Sequence, residues 1–245
     1  MRYLITFSYD GSSFKGYQRQ KNLKTVQGSI EEVLTKLNNN KKVNLVSSGR
    51  TDIGVHALNA KAHFDLDINI TLYSLQKVLN KKLNGEIYIK EIEIVDNNFH
   101  ARYNVAYKTY IYYINTNTYN SIERNYIYQY NKKLDIEKMK EALYLIKGIH
   151  DFRGFCFQSK EKENTIREII DFSIIEKDGI IEISITGNGF LRKMVRSIVG
   201  ILIEIGSLRK EKEEIIKILD NKGLFHNKNI VPGCGLYLKE VVYKE

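Results

Sequence analysis

The stretch Tyr3-Leu4-Ile5-Thr6-Phe7-Ser8-Tyr9-Asp10-Gly11-Ser12-Ser13 is where the fold can first be read. Tyr3, Ile5, Phe7 and Tyr9 recur at every second position, the period of a half-buried strand, and Asp10-Gly11-Ser12-Ser13 ends it as a turn. Working outward, Thr25 is placed to cap a helix whose apolar positions are Val26, Ile30, Val33, Leu34 and Leu37. Val43 to Ser48 reads as a second strand and Leu58 to Leu66 as a third, with Gly49-Arg50-Thr51-Asp52-Ile53-Gly54 between them. Leu72, Leu75, Leu79 and Leu83 fall on one helical stripe, and Ile87 to Val95 is a further strand-forming run. The order β-α-β-β-α-β is that of a ferredoxin-like unit.

The second half repeats the plan in kind rather than in letters. Val105 to Ile114 predicts a long aromatic strand. Ile136, Met139, Leu143 and Ile146 predict a helix that Gly148 stops. Ile166 to Glu176 and Ile180 to Thr186 flank Lys177-Asp178-Gly179, a hairpin signal. Leu191, Met194, Val195, Ile198, Leu202 and Ile205 predict another helix, Lys210 to Leu219 a short charged one, and Leu236 to Tyr243 a final strand. The expectation is an α/β (α+β) protein of two lobes, residues 1–104 and 105–245, with the seam near Tyr103 to Ala106. Pro232 is the sole proline, which leaves the loops to glycine and asparagine.

The 245 residues are 43% hydrophobic, enough for a substantial core. Lys and Arg number 38 against 29 Asp and Glu, a net charge of +9. That excess favours a polyanionic partner, RNA, DNA or an acidic membrane surface, without choosing among them. Two cysteines, Cys156 and Cys234, exclude a disulfide-rich scaffold and a four-thiolate zinc site, as expected of a reduced cytoplasmic protein. No apolar run approaches the ~18 residues of a membrane span. The N-terminus turns polar before a signal-peptide core could form.

Three segments could carry chemistry. In Ser48-Gly49-Arg50-Thr51-Asp52-Ile53-Gly54-Val55-His56-Ala57, glycines bracket an arginine and a carboxylate. Gly49 and Gly54 permit unusual backbone or close ligand approach. Arg50 can hold phosphate or stack on a base, and Asp52 can act as nucleophile or base. The same letters also describe an Asp-containing turn with a surface arginine. Asp52, His56 and His63 lack a complete metal-ligand spacing, so no metal is assigned. In Gly187-Asn188-Gly189-Phe190-Leu191-Arg192-Lys193-Met194-Val195-Arg196, a helical reading puts Arg192 and Arg196 on one face, as a binding edge or a solvated one. In Tyr107-Lys108-Thr109-Tyr110-Ile111-Tyr112-Tyr113, alternation puts Tyr110 and Tyr112 on one face, either as a base-stacking surface or as an aromatic core strand.

Taken together, these segments resemble the TruA family of tRNA pseudouridine synthases. Tyr9 to Gln20 is similar to the family's opening motif, and Ser48 to Ala57 to its catalytic loop, SGRTD-x-GVHA. Phe99-His100-Ala101-Arg102 and Tyr110-Ile111-Tyr112 match its central segment. His150-Asp151-Phe152, Phe190 to Gly200 and Gly235-Leu236-Tyr237-Leu238 match the later ones. The resemblance runs almost end to end and in order. Tyr17 departs from it, since the family commonly has tryptophan there.

The resemblance implies two ferredoxin-like, RRM-like lobes with mainly antiparallel sheets about a central RNA-binding cleft. It also implies isomerisation of uridine to pseudouridine at positions 38, 39 and 40 of the tRNA anticodon stem-loop. The bond from N1 to the sugar breaks, the uracil turns, and C5 bonds to the sugar. No electron is transferred and no phosphate is consumed, so no metal, nucleotide or redox cofactor is expected. By matching positions, Asp52 is the catalytic aspartate, which attacks C1′ or removes a sugar proton. Tyr110 is the active-site tyrosine against the uracil ring, and Arg196 the basic partner of the aspartate. Arg50 takes the place of the flipped base, Leu236 packs against the other ring face, and Arg192 and Lys193 contact RNA. A cytoplasmic homodimer is implied as well. Two other readings stay open at this point: the same chemistry on ribosomal RNA, and a noncatalytic RNA-binding module.

Overall fold

The computed structural model describes residues 1–156, 164–220, 227 and 229–244. The chain divides into two compact units, Met1–Ala106 with Tyr237–Glu245, and Tyr107–Leu236. The last strand therefore returns to the first unit, across more than a hundred residues of sequence.

The first unit holds β1 (Arg2–Tyr9), α1 (Val26–Leu37), β2 (Val46–Ser47), β3 (His56–Asp65), α2 (Leu72–Lys82), β4 (Ile87–Val95) and the returning β10 (Leu236–Tyr243). Its strands run in the order β4-β1-β3, antiparallel, and β2 pairs antiparallel with β3. That is the expected βαββαβ plan. The second strand is much shorter than the sequence suggests, because the outer edge of β3 is shared. Val46 and Ser47 pair with His63 and Ala62, while Tyr237 and Leu238 of β10 pair in parallel with His56 and Ala57. Thr25 caps α1 by accepting from Gly28 N at 3.2 Å, and Thr71 does the same for α2 with Ser74 N at 3.2 Å. The alternating face Tyr3, Ile5 and Phe7 is buried, as are Ile30 and Leu34 of α1 and Leu75 and Leu79 of α2. Each such side chain contributes roughly 1.5–3 kcal/mol by leaving water. Leu4 and Thr6, on the opposite face, are buried too. Over that face, Phe99 packs edge-on to Tyr243 and Ala101 N donates to His63 Nδ1 at 3.1 Å.

The second unit holds β5 (Val105–Asn115), β6 (Tyr128–Gln129), α3 (Ile136–Tyr144), β7 (Gly148–Asp151), β8 (Ile166–Lys177), β9 (Ile180–Gly187), α4 (Met194–Gly206) and α5 (Glu213–Asp220). Its sheet runs β5-β9-β8-β7, antiparallel, with β6 in short parallel contact with β5. The β8–β9 hairpin turns at Asp178 and Gly179, with φ of 52° and 74°, the left-handed pair of a two-residue turn. Helix α3 ends at Tyr144, before Ile146, which is buried beyond the helix. α4 is buried on nearly every side, in keeping with its almost continuous apolar sequence.

The expected shared helical face of Arg192 and Arg196 is not formed. Helix α4 begins at Met194, and Lys193 before it is left-handed, with φ of 62°. Leu191 and Arg192 lie upstream of that break, so the i,i+4 relation does not apply to the two arginines. The cause is local: a left-handed residue points the chain away from the helix axis, and nothing in Leu191-Arg192-Lys193 announces it.

Candidate active site

The Asp52 loop spans the gap between β2 and β3, and its backbone is tied at several points. Ser48 N donates to Lys61 O at 2.9 Å, and Tyr17 N to Thr51 O at 3.2 Å. The Tyr9 hydroxyl lies 2.8 Å from Thr51 Oγ1. Val55 N donates to Asp52 O at 3.2 Å, closing a turn in which Gly54 takes φ of 78°. Gly54 thus meets the conformational need read from the sequence, whereas Gly49 keeps an ordinary φ. Within this frame Asp52 is half-buried and Arg50 exposed.

Behind the loop, Gly11 sits directly on Val55. A Cβ on Gly11 would lie 2.1 Å from Val55 O, so only glycine fits. Gly11 N also donates to His56 Nδ1 at 3.1 Å, and the buried His56 ring stacks on Tyr237 at 4.6 Å. Asp10 Oδ1 lies 3.3 Å from the same Nδ1, so the ring is held between the start of the Gly11 turn and the Tyr237 ring. His63 Nδ1 likewise accepts from Ala101 N, and burial lowers its pKa to about 4. Both histidines of the possible metal set hold backbone instead. Among the described residues, no group of three or more His, Cys, Asp or Glu is placed to hold a metal ion.

Tyr17, the departure from tryptophan, is buried behind the same loop, and burial pushes its phenol well above the ordinary value. The buried Glu31 of α1 accepts from Leu45 N at 3.0 Å and from Gln27 Nε2 at 2.9 Å, which fixes the chain entering β2. Its second oxygen lies 3.3 Å from Arg19 Nη1.

The remaining candidates belong to the second unit. Tyr110 is 8% exposed and meets the edge of Phe190 at 5.1 Å between centroids. Its neighbour Tyr112 is fully buried and donates to Pro232 O at 2.8 Å, as an aromatic core residue would. Arg196, on the first turn of α4, donates from Nε to Val231 O at 2.7 Å. Arg192 is exposed, Lys193 half-buried and Leu236 buried at 6%. Cys234 lies in the turn between Pro232 and Leu236, where burial raises its thiol pKa.

Two supports went unread in the sequence. One is the seat of Gly11 on Val55 and His56, for which the Asp10-Gly11 turn was the available signal. The other is the carbonyl of Val231 that orients Arg196. Its only trace was the lone proline next to it.

The sequence matches the family profile described as tRNA pseudouridine synthase over residues 5–104 and 142–244. It is 40% identical over 243 residues to tRNA pseudouridine synthase A 2 of Bacillus cereus, covering 98% of this chain and 99% of that protein. It is 42% identical over 245 residues to tRNA pseudouridine synthase A of Malacoplasma penetrans, covering 99% and 100%. The Limosilactobacillus reuteri protein of that name is 38% identical over 248 residues, covering 99% and 96%.

Proposed function

Because the chain belongs to the tRNA pseudouridine synthase family, and so is an isomerase acting on tRNA, we propose that it converts uridines 38, 39 and 40 of the anticodon stem-loop, with Asp52, Tyr110 and Arg196 as its catalytic residues. The observation that carries the assignment is the Asp52 loop. A half-buried carboxylate follows an exposed arginine by two residues, on a backbone held at Ser48, Thr51 and Val55. A surface turn needs no such bracing. A group that must reach one sugar atom does, because small displacements are costly in rate.

The roles follow from the chemistry. Asp52 acts at the sugar, by attack on C1′ or removal of a sugar proton, as the N1–C1′ bond breaks. The freed uracil turns and C5 bonds to C1′. Any bond between Asp52 and C1′ breaks as the C5 bond forms; the Tyr110 oxygen then takes the proton from C5 as its own hydroxyl proton passes on, and N1 takes up a proton, so atoms and charge balance. Arg196 supports the aspartate anion, whose enclosure would otherwise cost several kcal/mol. Extruding a stacked uridine costs roughly a few kcal/mol. Arg50 fills the vacated place, and phosphate contacts from Arg192, Lys193 and the rest of the basic surface offset the cost. Leu236 packs on the second ring face. Among the described residues no helix is long and apolar enough to cross a membrane. A cytoplasmic homodimer acting on tRNA is part of the same proposal.

Mapping pseudouridine in tRNA and ribosomal RNA from cells lacking the gene, with and without complementation, tests the target. Loss confined to tRNA positions 38, 39 and 40 is expected. Loss in ribosomal RNA with those positions intact would overturn the assignment.

A further inference from the structure

Helix α4 carries two charged residues, Arg196 and Glu204, with Gly200 midway between them. At 3.6 residues per turn, spacings of four keep all three on one stripe of the helix. Asn227 and residues 229–231 lie along that stripe. Asn227 Nδ2 donates to Ser197 O at 2.6 Å, and Asn229 Nδ2 to Gly200 O at 3.2 Å. Asn229 Nδ2 also donates to Glu204 Oε1 at 2.7 Å. The backbone approach is so close that a Cβ on Gly200 would lie 2.0 Å from Asn229 O. Two residues further on, Val231 N donates to Arg196 O at 3.4 Å and Val231 O accepts Arg196 Nε at 2.7 Å.

Glu204 anchors the far end of this strap. Its carboxylate is held by Arg209, Nε to Oε2 at 2.8 Å and Nη2 to Oε1 at 2.9 Å, and Arg209 Nη1 reaches the Tyr130 hydroxyl at 3.3 Å. The Glu204 side chain is only 19% exposed, so this is not a solvated surface pair. The Arg209 bond, ahead of the other causes, holds its carboxyl below the usual range and keeps it an acceptor. Beyond Val231 the strap leads through Pro232, whose carbonyl takes the Tyr112 hydroxyl, to Leu236.

We propose that Glu204 is a positioning residue for the Arg196 guanidinium: by holding Asn229 against α4 it sets the Val231 carbonyl that fixes the plane of the Arg196 side chain. In this role Glu204 and Asn229 act through Arg196 and need no contact with substrate. The proposal rests on the reading of Arg196 as part of the reaction. A guanidinium is a planar fork, so its rotation about Nε decides what its remaining N–H groups can address. A carbonyl fixed from 2.7 Å removes that rotation.

The test is a double-mutant cycle read by single-turnover pseudouridine formation with enzyme in excess, alongside the Kd for tRNA. Glu204→Ala should slow single turnover about tenfold or more while leaving Kd within about twofold. Glu204→Gln, whose amide oxygen can still accept from Asn229, should restore most of the rate. Asn229→Ala, which leaves the Glu204–Arg209 pair in place, should reproduce the loss even if Glu204→Ala fails to fold. Combined with Arg196→Lys, which has no Nε to orient, Asn229→Ala and Glu204→Ala should each add no further loss. Losses that multiply, or a Kd that rises as far as the rate falls, would overturn the positioning role alone. Arg196→Lys with native single turnover would instead remove the assignment of Arg196, and the proposal with it.

Discussion

Replacing Gly11 with alanine adds one methyl group at the back of the Asp52 loop, and the structure states what it meets. The new Cβ would stand 2.1 Å from Val55 O, 2.5 Å from Val55 C and 3.0 Å from Val55 N, all backbone atoms. Ordinary carbon–oxygen approach is ~3.3 Å, so the Val55 peptide must retreat by about 1.2 Å. It cannot do so alone, since Val55 N is bonded to Asp52 O and Gly11 N to His56 Nδ1. The displacement therefore passes through the Ile53-Gly54 turn to Asp52. Overpacking of this kind costs ~1–3 kcal/mol. For a chain of this size that lowers the unfolding midpoint by ~2–4 °C per kcal/mol, or ~2–12 °C. A misplacement of about 1 Å at a reacting group costs ~10²-fold in rate. The assay is single-turnover release of tritium from C5 of uridine in tRNA, beside a thermal melt. Gly85→Ala is the control. It sits at φ of 76° with nothing within 4 Å of its would-be Cβ, so it should lose ~1–2 kcal/mol through backbone strain and keep its rate. A Gly11→Ala enzyme with native single turnover would show that the loop seated on Gly11 does not hold the catalytic group.

Tyr110→Phe should bind tRNA normally, keeping stacking worth ~1–3 kcal/mol per base, yet release tritium ~10²-fold or more slowly. Native release would leave Tyr110 as a packing residue against Phe190. His63 gives a pH signature. Its pKa is lowered from 6.5 to about 4, so on acidification the unfolded chain takes up the proton first. Stability should therefore fall as pH drops from about 6.5 and level off below about 4. His63→Asn, which can still accept from Ala101 N, should flatten the urea-midpoint slope between pH 7 and 5, above the carboxylate range, and an unchanged slope would assign it elsewhere. Affinity for tRNA should fall steeply with salt, and Arg192→Ala or Lys193→Ala should each reduce the log–log slope by about one. A slope identical to native would take those residues out of phosphate contact.

Period and turn chemistry made much of the fold legible. Tyr3 to Tyr9, the Thr25 cap and the Asp178-Gly179 turn all lie in windows of a few residues, where local chemistry decides the outcome. What could not be read is non-local. The second strand shrank to Val46–Ser47 beside a β3 edge that is shared with β10, nearly two hundred residues downstream. Helix α4 lost its first turn to a left-handed lysine, a conformation that sequence signals for glycine, asparagine or aspartate and not for lysine. The site divides the same way. Arg50 and Asp52 stood out because glycines flank them. The Val231 carbonyl and Asn229 did not, because backbone acceptors and irregular segments leave no period to detect.

The measurement that bears most directly on the central claim is pseudouridine formation by purified enzyme on tRNA, native against Asp52→Asn, with EDTA present and nothing else added. The amide keeps the shape of the side chain and removes the anion that acts at the sugar. The expected result is full conversion by the native protein and none by Asp52→Asn, with Kd for tRNA within about twofold between the two. Single turnover by Asp52→Asn within about tenfold of native would contradict the assignment of Asp52 and, with it, the account of the site.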